Sequence, residues 1–339
     1  MKTAIVILNW NGADCLNKFL PILIDKTPLE DTEIIVADNG STDNSLEILK
    51  KFNSIRIIKL DKNYGFADGY NKALAQVDAE YYILLNSDIE VTDNWLEPLI
   101  SYLDTNPDYA SCQPKVRSYQ NRAYFEHAGA AGGFIDKYGF PFCRGRVFAE
   151  IEEDKGQYDT NTDIFWATGA CMVVRANLFH ECGGLDGGFF AHMEEIDLCW
   201  RFRNRGWKLA CIPSSTIYHV GGATLNYENP FKVYLNFRNS LLMLYKNLPK
   251  KDIRKIMFLR YFFDYAAALQ MLATGQMKNF KMVFKARRDY KKMRPEYVEK
   301  RKENLKKTTK VVIPEILQKS IVVEYFLKGN KTYKLLMKE

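Results

Sequence analysis

The fold class this sequence predicts is α/β, with a mainly parallel sheet flanked by helices. Three observations predict it. Four short runs at 5–8, 34–37, 55–60 and 81–85 are β-branched, aromatic or leucine-rich and almost continuously apolar. Such runs suit strands buried on both faces, whereas alternating ones suit strands with one wet face. Segments of helical period lie between them at about 14–25, 43–52 and 67–77, which gives a β-α-β-α order. Each run also ends in a polar loop: Asn9-Trp10-Asn11-Gly12, Asp38-Asn39-Gly40-Ser41, Asp61 to Gly65, and Asn86-Ser87-Asp88.

The first apolar run is too short for a secretory signal and passes straight into a polar loop. No stretch reaches 18 uncharged apolar residues, so no spanning helix is expected. At 47% hydrophobic and 26% charged, the 339 residues can bury a sizeable core. The seven cysteines are odd in number, and no two are spaced C-x-x-C. Reduced, buried thiols are therefore expected, with no disulfide framework.

In an open parallel sheet, ligands gather beyond the carboxyl ends of the strands. Asp38 stands there, and its carboxylate suits a ribose hydroxyl or a base N–H. Ser41 or Thr42 is expected to cap the following helix. Asp88 ends the fourth run and is either a turn residue or one oxygen ligand of a hard divalent cation. Further on, Glu194, Glu195 and Asp197 put three carboxylates into four residues, flanked by Phe189, Phe190 and Trp200. An exposed helix face disperses and pairs its charges, and Arg201 can pair with Asp197 one turn away. A glutamate among apolar walls instead has a raised pKa and can act as a general base. His219 follows another strand-like run beside glycines, where it is either structural or a metal ligand.

From about 231 the pattern becomes helical and basic. Residues 246–310 hold 20 Lys/Arg against 6 Asp/Glu, on an acidic body. Arg260 and Asp264 interrupt the apolar segment 253–273, so it should not cross a bilayer. Phe280, Met282, Val283 and Phe284 then alternate with Lys278, Lys281, Lys285, Arg287, Arg288, Lys291 and Lys292. That mixture suits a helix lying in the interface of an anionic membrane. The other reading is a set of helices packed on the body with a wet basic face. The expected division is a catalytic region over 1–230, with a nucleotide part to about 110 and an acceptor part beyond it. A basic helical extension over 231–339 completes it.

Several stretches together, in this order, resemble the inverting glycosyltransferases of family 2, which have the GT-A fold. The rhamnosyltransferase-like and galactofuranosyltransferase-like group is the most similar part. The stretches are Val-Ile-Leu-Asn-Trp-Asn-Gly at 6–12, Asp-Asn-Gly-Ser-Thr-Asp at 38–43, Asn-Tyr-Gly-Phe-Ala-Asp-Gly-Tyr-Asn at 63–71 and Asn-Ser-Asp at 86–88. They continue with Gly-Ala-Cys-Met at 169–172, Glu-Glu-Ile-Asp-Leu-Cys-Trp-Arg at 194–201 and His-Val-Gly-Gly at 219–222. The resemblance implies a nucleotide diphosphate-sugar donor, dTDP- or UDP-linked, and a Mg²⁺ or Mn²⁺ cofactor. Asn9, Asn11 and Asp38 would line the nucleotide pocket, and Asn63, Gly65 and Asn71 would shape its floor. Asn86 and Ser87 would border the donor, with Gly169 and Ala170 letting backbone approach the sugar. Asp88 and His219 would hold the cation. Trp166, His192 and Arg201 would face the acceptor, and the acidic cluster Glu194, Glu195 and Asp197 would supply the base. The chain departs from the family twice: Asn86 stands where a first metal-motif Asp is common, and Glu194-Glu195 replaces Glu-Asp. By position Glu195 is the base, with Glu194 left open.

The implied acceptor is a glycan or lipid-linked hydroxyl in cell-surface polysaccharide synthesis. The implied place is cytoplasmic, peripheral on the inner face of the cell membrane. Two other enzyme classes fit less well. The first loop lacks the Gly-rich basic signature of a pyrophosphorylase, and no G-x-G-x-x-G follows a strand as a dehydrogenase needs. A non-catalytic scaffold binding nucleic acid through the basic tail remains the alternative. The acidic loops favour a cation and a nucleotide sugar over a polyanionic strand, so no nucleic acid is expected.

Overall fold

The computed structural model describes residues 1–221, 229–310 and 312–337. Strand β1 (Thr3–Asn9), helix α1 (Ala13–Asp25), β2 (Thr32–Asn39), α2 (Ser45–Leu49), β3 (Ile55–Leu60), α3 (Gly65–Leu74) and β4 (Tyr81–Leu85) follow the expected alternation. Next come β5 (Ile89–Val91), α4 (Glu97–Thr105), β6 (Tyr109–Ser118), and the short strands β7 (Gly133–Asp136), β8 (Pro141–Cys143), β9 (Arg146–Val147), β10 (Glu150–Ile151) and β11 (Thr162–Asp163). Then follow β12 (Cys171–Arg175), α5 (Ala176–Glu181), α6 (Glu194–Asn204) and β13 (Lys208–His219). The C-terminal region contains α7 (Pro230–Asn247), α8 (Lys250–Ala273), α9 (Met277–Met293), α10 (Tyr297–Lys306), β14 (Ile316–Leu317), α11 (Ile321–Phe326) and α12 (Tyr333–Met337).

The main sheet runs β11-β13-β6-β12-β4-β1-β2-β3, with β5 added against β13. β4, β1, β2 and β3 are mutually parallel. β12 lies antiparallel to both β4 and β6, while β13 is parallel to β6. The carboxyl ends of β1, β2, β4, β6 and β13 therefore share one edge, and β12 begins there. Both faces of the sheet are covered. Ile5, Ile7, Ile34 and Val36 pack with Leu16, Leu20 and Leu23 of α1. Ala4, Val6, Ile35 and Ala37 pack on the other side with Tyr70, Ala73 and Leu74 of α3. This is why the runs read as continuously apolar. Each fully buried Leu or Ile contributes roughly 1.5–3 kcal/mol.

A second sheet, β10-β9-β8-β7-β14, closes with a strand from the C-terminal region. Residues beyond 230 are helical and basic as expected, but they share the core of the body. Leu241, Leu244, Tyr290, Ile321 and Leu336 belong to the same buried cluster as Val6 and Ala37. The described cysteines are all free thiols, six of them buried. Among the described residues no helix is long and apolar enough to cross a membrane.

Candidate active site

The first loop and the second are tied together at the sheet edge. Asn9 pairs with Asp38 in register. Its Nδ2 donates to Asp38 Oδ1 and to Ser41 Oγ, both at 3.2 Å. Asn11 takes a left-handed φ of 52°, its N–H donates to Ser41 Oγ at 3.0 Å, and its Oδ1 accepts from Thr42 N at 2.7 Å. Ser41 and Thr42 thus tie two loops together and do not cap α2. Asn44 holds the N-cap position without a side-chain cap bond, and Asp43 before it accepts from Ser45 N at 3.0 Å while its other oxygen accepts from Ala13 N at the start of α1. Asp38 is buried, and Asn9 Oδ1 is enclosed without a protein partner. A Cβ on Gly12 would lie 2.4 Å from Asn9 Oδ1 and 3.4 Å from Ser87 Oγ, so these three positions adjoin.

Asn63 and Asn71 hold the floor of the site. Asn63 Oδ1 accepts from Gly65 N at 2.7 Å and from Asn39 Nδ2 at 3.2 Å. Asn71 exchanges two hydrogen bonds with the backbone of Leu185, at 2.7 and 3.0 Å. Gly65 has a φ of +75°, and a Cβ there would meet the Phe190 ring at 2.5 Å. Only glycine fits. The Phe190 carbonyl in turn accepts from Phe66 N and Ala67 N at the start of α3.

Strand pairing delivers Asp88 to His219. β5 turns back against the end of β13 in the register Ile89↔His219, and Val220 N donates to the Asp88 carbonyl at 3.1 Å. Asp88 Oδ1 lies 3.2 Å from His219 Nε2, and Glu126 Oε2 lies 3.3 Å from His219 Nδ1. All three side chains are buried. Burial alone would lower the imidazole pKa, but the two carboxylates raise it to about 10. Burial opposes ionisation of Asp88 and Glu126, yet the facing imidazole carries both below the ordinary range. Gly222, the last residue of the His-Val-Gly-Gly stretch, lies outside the described residues.

Asp88 and His219 are residue types that can each give a divalent cation one ligand. The 3.2 Å between them is a hydrogen bond in this structure, and a cation would have to replace the Nε2 proton to find the imidazole nitrogen and the carboxylate oxygen side by side. Glu126, 3.3 Å from His219 Nδ1, stands where an outer carboxylate commonly orients a ligating imidazole, with the Nδ1–H not aligned on it in this structure. Among the described residues no group of three or more His, Cys, Asp or Glu is arranged to hold an ion alone. The pair would therefore need oxygens from a diphosphate, the usual arrangement for Mg²⁺.

The acidic cluster divides. Glu194 and Glu195 open α6 behind a tight turn in which Phe190, His192 and Met193 all have positive φ, from 67° to 73°. Non-glycine residues rarely adopt it, and such strain gathers at functional sites. Asn239 of α7 clamps the turn, its Nδ2 lying 2.7–2.9 Å from the carbonyls of Phe189, Ala191 and His192. Glu194 is buried, and burial together with the Glu195 charge raises its pKa well above the usual range. Burial raises Glu195 to about 7. Each glutamate has its Oε2 enclosed without a hydrogen-bond partner, as does His192 Nε2, and burial lowers the His192 pKa to about 4. Gly169 lies beside Glu195, 3.8 Å separating its notional Cβ from the Glu195 Cβ. Ala170 O accepts from Asn86 N at 3.0 Å. A short path thus joins the base candidate to the Asn86-Ser87-Asp88 loop.

Asp197, Arg201 and Trp166 are held elsewhere. Asp197 accepts from Arg201 Nε at 3.0 Å and Asn247 Nδ2 at 2.8 Å, and Lys246 Nζ is 2.7 Å away. Arg201 also donates to the carbonyl of Gly184 at 2.7 Å. Trp166 is packed on Gly133 and donates to Phe134 O at 2.8 Å, inside the core between the two sheets. Sequence reasoning missed Glu126, Asn239 and Lys246. Glu126 and Asn239 reach the site through loop and helix packing, Lys246 instead anchors Asp197 in the core, and only the acidic type of Glu126 hinted at a role.

The carboxylate–imidazole pair, the asparagine–aspartate edge and the enclosed glutamate stand at the carboxyl ends of a GT-A type sheet, and the class is that of a glycosyltransferase. The family model described as glycosyl transferase family 2 matches residues 4–183, and the chain belongs to that family. It is similar to an N-acetylglucosaminyl-diphospho-decaprenol L-rhamnosyltransferase of Mycobacterium tuberculosis, 23% identical over 63% of this chain and 75% of the relative. It is also similar to rhamnosyltransferase WbbL of Escherichia coli, 25% identical over 74% of this chain and 93% of the relative. In fold it is similar to the crystal structure of GalNAc-T7 with UDP, GalNAc and Mn²⁺. That TM-score is 0.57 at 16% identity, over 73% of this chain and 48% of that longer one.

Proposed function

We propose that this glycosyltransferase is inverting and metal-dependent, and that it moves a hexose, rhamnose first among candidates, from a dTDP- or UDP-linked donor. The acceptor is a hydroxyl on a lipid-linked glycan at the inner face of the cell membrane, in cell-surface polysaccharide synthesis. The observation that carries this is the convergence, through Asn86, Ala170 and Gly169, of the Asp88–His219 pair with Glu195. The donor and acceptor classes are supported by the names of the two rhamnosyltransferase relatives, and the cation by the Mn²⁺ in the GalNAc-T7 structure.

Glu195 takes the proton of the acceptor hydroxyl as that oxygen attacks the anomeric carbon. The bond to the diphosphate oxygen breaks in the same displacement, with inversion because no protein nucleophile intervenes. With a pKa near 7 the base is matched to neutral pH. Burial and the neighbouring Glu195 charge both disfavour a second carboxylate charge at Glu194. Asp88 and His219 would hold Mg²⁺ or Mn²⁺, which when bound stabilises charge growing on the departing diphosphate. Asp38 and Asn9 orient the nucleoside, and the clamp from Asn239 fixes the base.

The test is a panel of nucleotide sugars screened for thermal stabilisation with Mn²⁺ or Mg²⁺. The matching donor at ~100 times its Kd should add roughly 2.7 kcal/mol, and only with the metal present. Stabilisation by no nucleotide sugar, but by nucleic acid, would favour the scaffold reading.

A further inference from the structure

The hairpin of α8 and α9 carries apolar surface that no described part of the chain covers. Along α8, Phe258, Tyr261, Phe262, Tyr265, Leu269 and Leu272 recur at helical spacing on the side opposite the buried Arg260, Asp264 and Ala268. Phe258 is 63% exposed, Phe262 56% and Leu269 62%. The rings form a ladder of three edge-to-face contacts and one tilted contact. Centroids lie 5.1 Å apart for Phe258–Phe262, 5.9 Å for Tyr261–Phe262, 4.5 Å for Tyr261–Tyr265 and 4.9 Å for Tyr265–Phe284 on α9. A contiguous exposed aromatic face of this kind marks an interaction site, not ordinary solvent-facing surface.

Its surroundings identify the partner. On α9 the exposed Lys281 and Arg288 flank Phe284 at one-turn spacing. On α8 the exposed Lys251, Arg254 and Lys255 precede the ladder. Residues 250–293 hold 12 Lys/Arg and 3 Asp/Glu. A second copy docked through the same face would bring like charge against like. An anionic lipid surface offers phosphate to the basic rim and an acyl boundary to the rings.

The face also leads toward the catalytic turn. Lys285 Nζ sits 3.7 Å from the Tyr234 ring centre. Tyr234 stacks with Phe231 at 6.0 Å, and Phe231 meets Phe190 at 6.1 Å. Phe190 lies in the strained turn just before the acidic pair.

We propose that the aromatic face of the α8–α9 hairpin is a monolayer-docking surface for an anionic membrane. It seats Phe258, Phe262 and Leu269 at the headgroup boundary and turns the acceptor side of Glu195 toward the bilayer. The orientation rests on the lipid-linked acceptor reading, but docking itself can be measured without turnover. Cutting the chain near 245 would not test it, because Lys246, Asn247 and β14 belong to the body. Point variants on the exposed face do.

Full-length protein is sedimented with phosphatidylcholine vesicles containing or lacking 30% phosphatidylglycerol, across a salt series. The wild type should bind the anionic vesicles, ignore the zwitterionic ones and detach as salt rises. The triple variant Phe258→Ser/Phe262→Ser/Leu269→Ser should partition at least tenfold less. Lys281→Glu/Arg288→Glu should lose the salt-sensitive part. Both variants should keep wild-type melting and wild-type transfer to a water-soluble acceptor analogue. The proposal is overturned if the wild type ignores anionic vesicles or if the triple variant binds them as well as wild type. It also falls if light scattering finds a dimer that the triple variant splits, or if the face instead retards nucleic acid on a gel. Vesicle binding without transfer to any acceptor would leave docking standing and remove the lipid-linked acceptor reading.

Discussion

Replacing Glu195 by glutamine should make the protein more stable and nearly inactive at once. The carboxyl is held at about 7 against an ordinary 4.5 because its surroundings exclude water. A folded-state pKa above the unfolded one means that folding favours the protonated form. The native state therefore loses stability as pH rises from about 4.5 to about 7, and the loss is complete above that window. At ~1.36 kcal/mol per unit, 2.5 units amount to about 3 kcal/mol. Glutamine keeps the shape and never ionises, so Glu195→Gln should recover about that much at pH 8 and almost nothing at pH 4.5. With ~2.1 cal/mol/K of unfolding entropy per residue over 339 residues, the gain is about 4 °C in Tm. Turnover should meanwhile fall by about 10²–10⁴-fold, the usual contribution of a positioned base, with donor affinity near wild type because the loss lies in the transition state. Calorimetric melts at the two pH values and steady-state kinetics read both effects. For the wild type, kcat/KM should rise with pH through a midpoint near 7. Equal melting of variant and wild type at pH 8, or turnover within a few-fold, would refute the reasoning. A collapse on Glu194→Gln alone would move the base by one residue.

The buried ion network predicts where stability resides. Lys246 Nζ lies 2.7 Å from both Asp186 and Asp197, and all three are buried. Burial would raise the Asp186 carboxyl, but Lys246 and Lys300 bring it far below the usual range. Lys246→Met should thus cost about 3–5 kcal/mol in urea unfolding; a loss under 1 kcal/mol would show that the remaining partners suffice. Asn239→Ala releases three turn carbonyls and should cost about 1–3 kcal/mol, with kcat falling more than donor affinity. Asp88→Ala should remain folded while Mn²⁺-dependent binding of a nucleoside diphosphate, read by titration calorimetry, disappears. Full wild-type activity in excess chelator would count against the assigned cation site.

What the sequence made legible was what local chemistry encodes. The runs at 5–8, 34–37, 55–60 and 81–85 announce β1 to β4 because strands covered on both faces need apolar residues at every position. The loops after them are legible because ligands gather at that edge. The pairing of Asp88 with His219 was expected only through the family resemblance, since the register Ile89↔His219 joins residues 130 positions apart. Glu126 was illegible for the same reason: it is carried back beside Val116 by a turn that no periodicity marks, with Glu126 N donating to the Val116 carbonyl. Asp197, Arg201 and Trp166 looked like cleft residues because charge and aromatic type do not reveal direction. Two residues carry the chain to the opposite side of α6, so Glu195 meets Gly169 while Asp197 points at Lys246. The basic tail read as a separate extension because its surface composition dominates, while the apolar residues that seat α7 and β14 in the body are dispersed among the lysines.

The most direct test of the central claim is the anomeric configuration of the product. The protein is incubated with Mn²⁺, the donor that stabilises it and a polyprenyl diphosphate-linked N-acetylglucosamine acceptor, and the new glycosidic bond is read by proton-detected NMR. A single displacement driven by Glu195 predicts a product inverted relative to the donor, formed by the wild type and lost with Glu195→Gln. A product that retains the donor configuration, or equal product from Glu195→Gln, would contradict it.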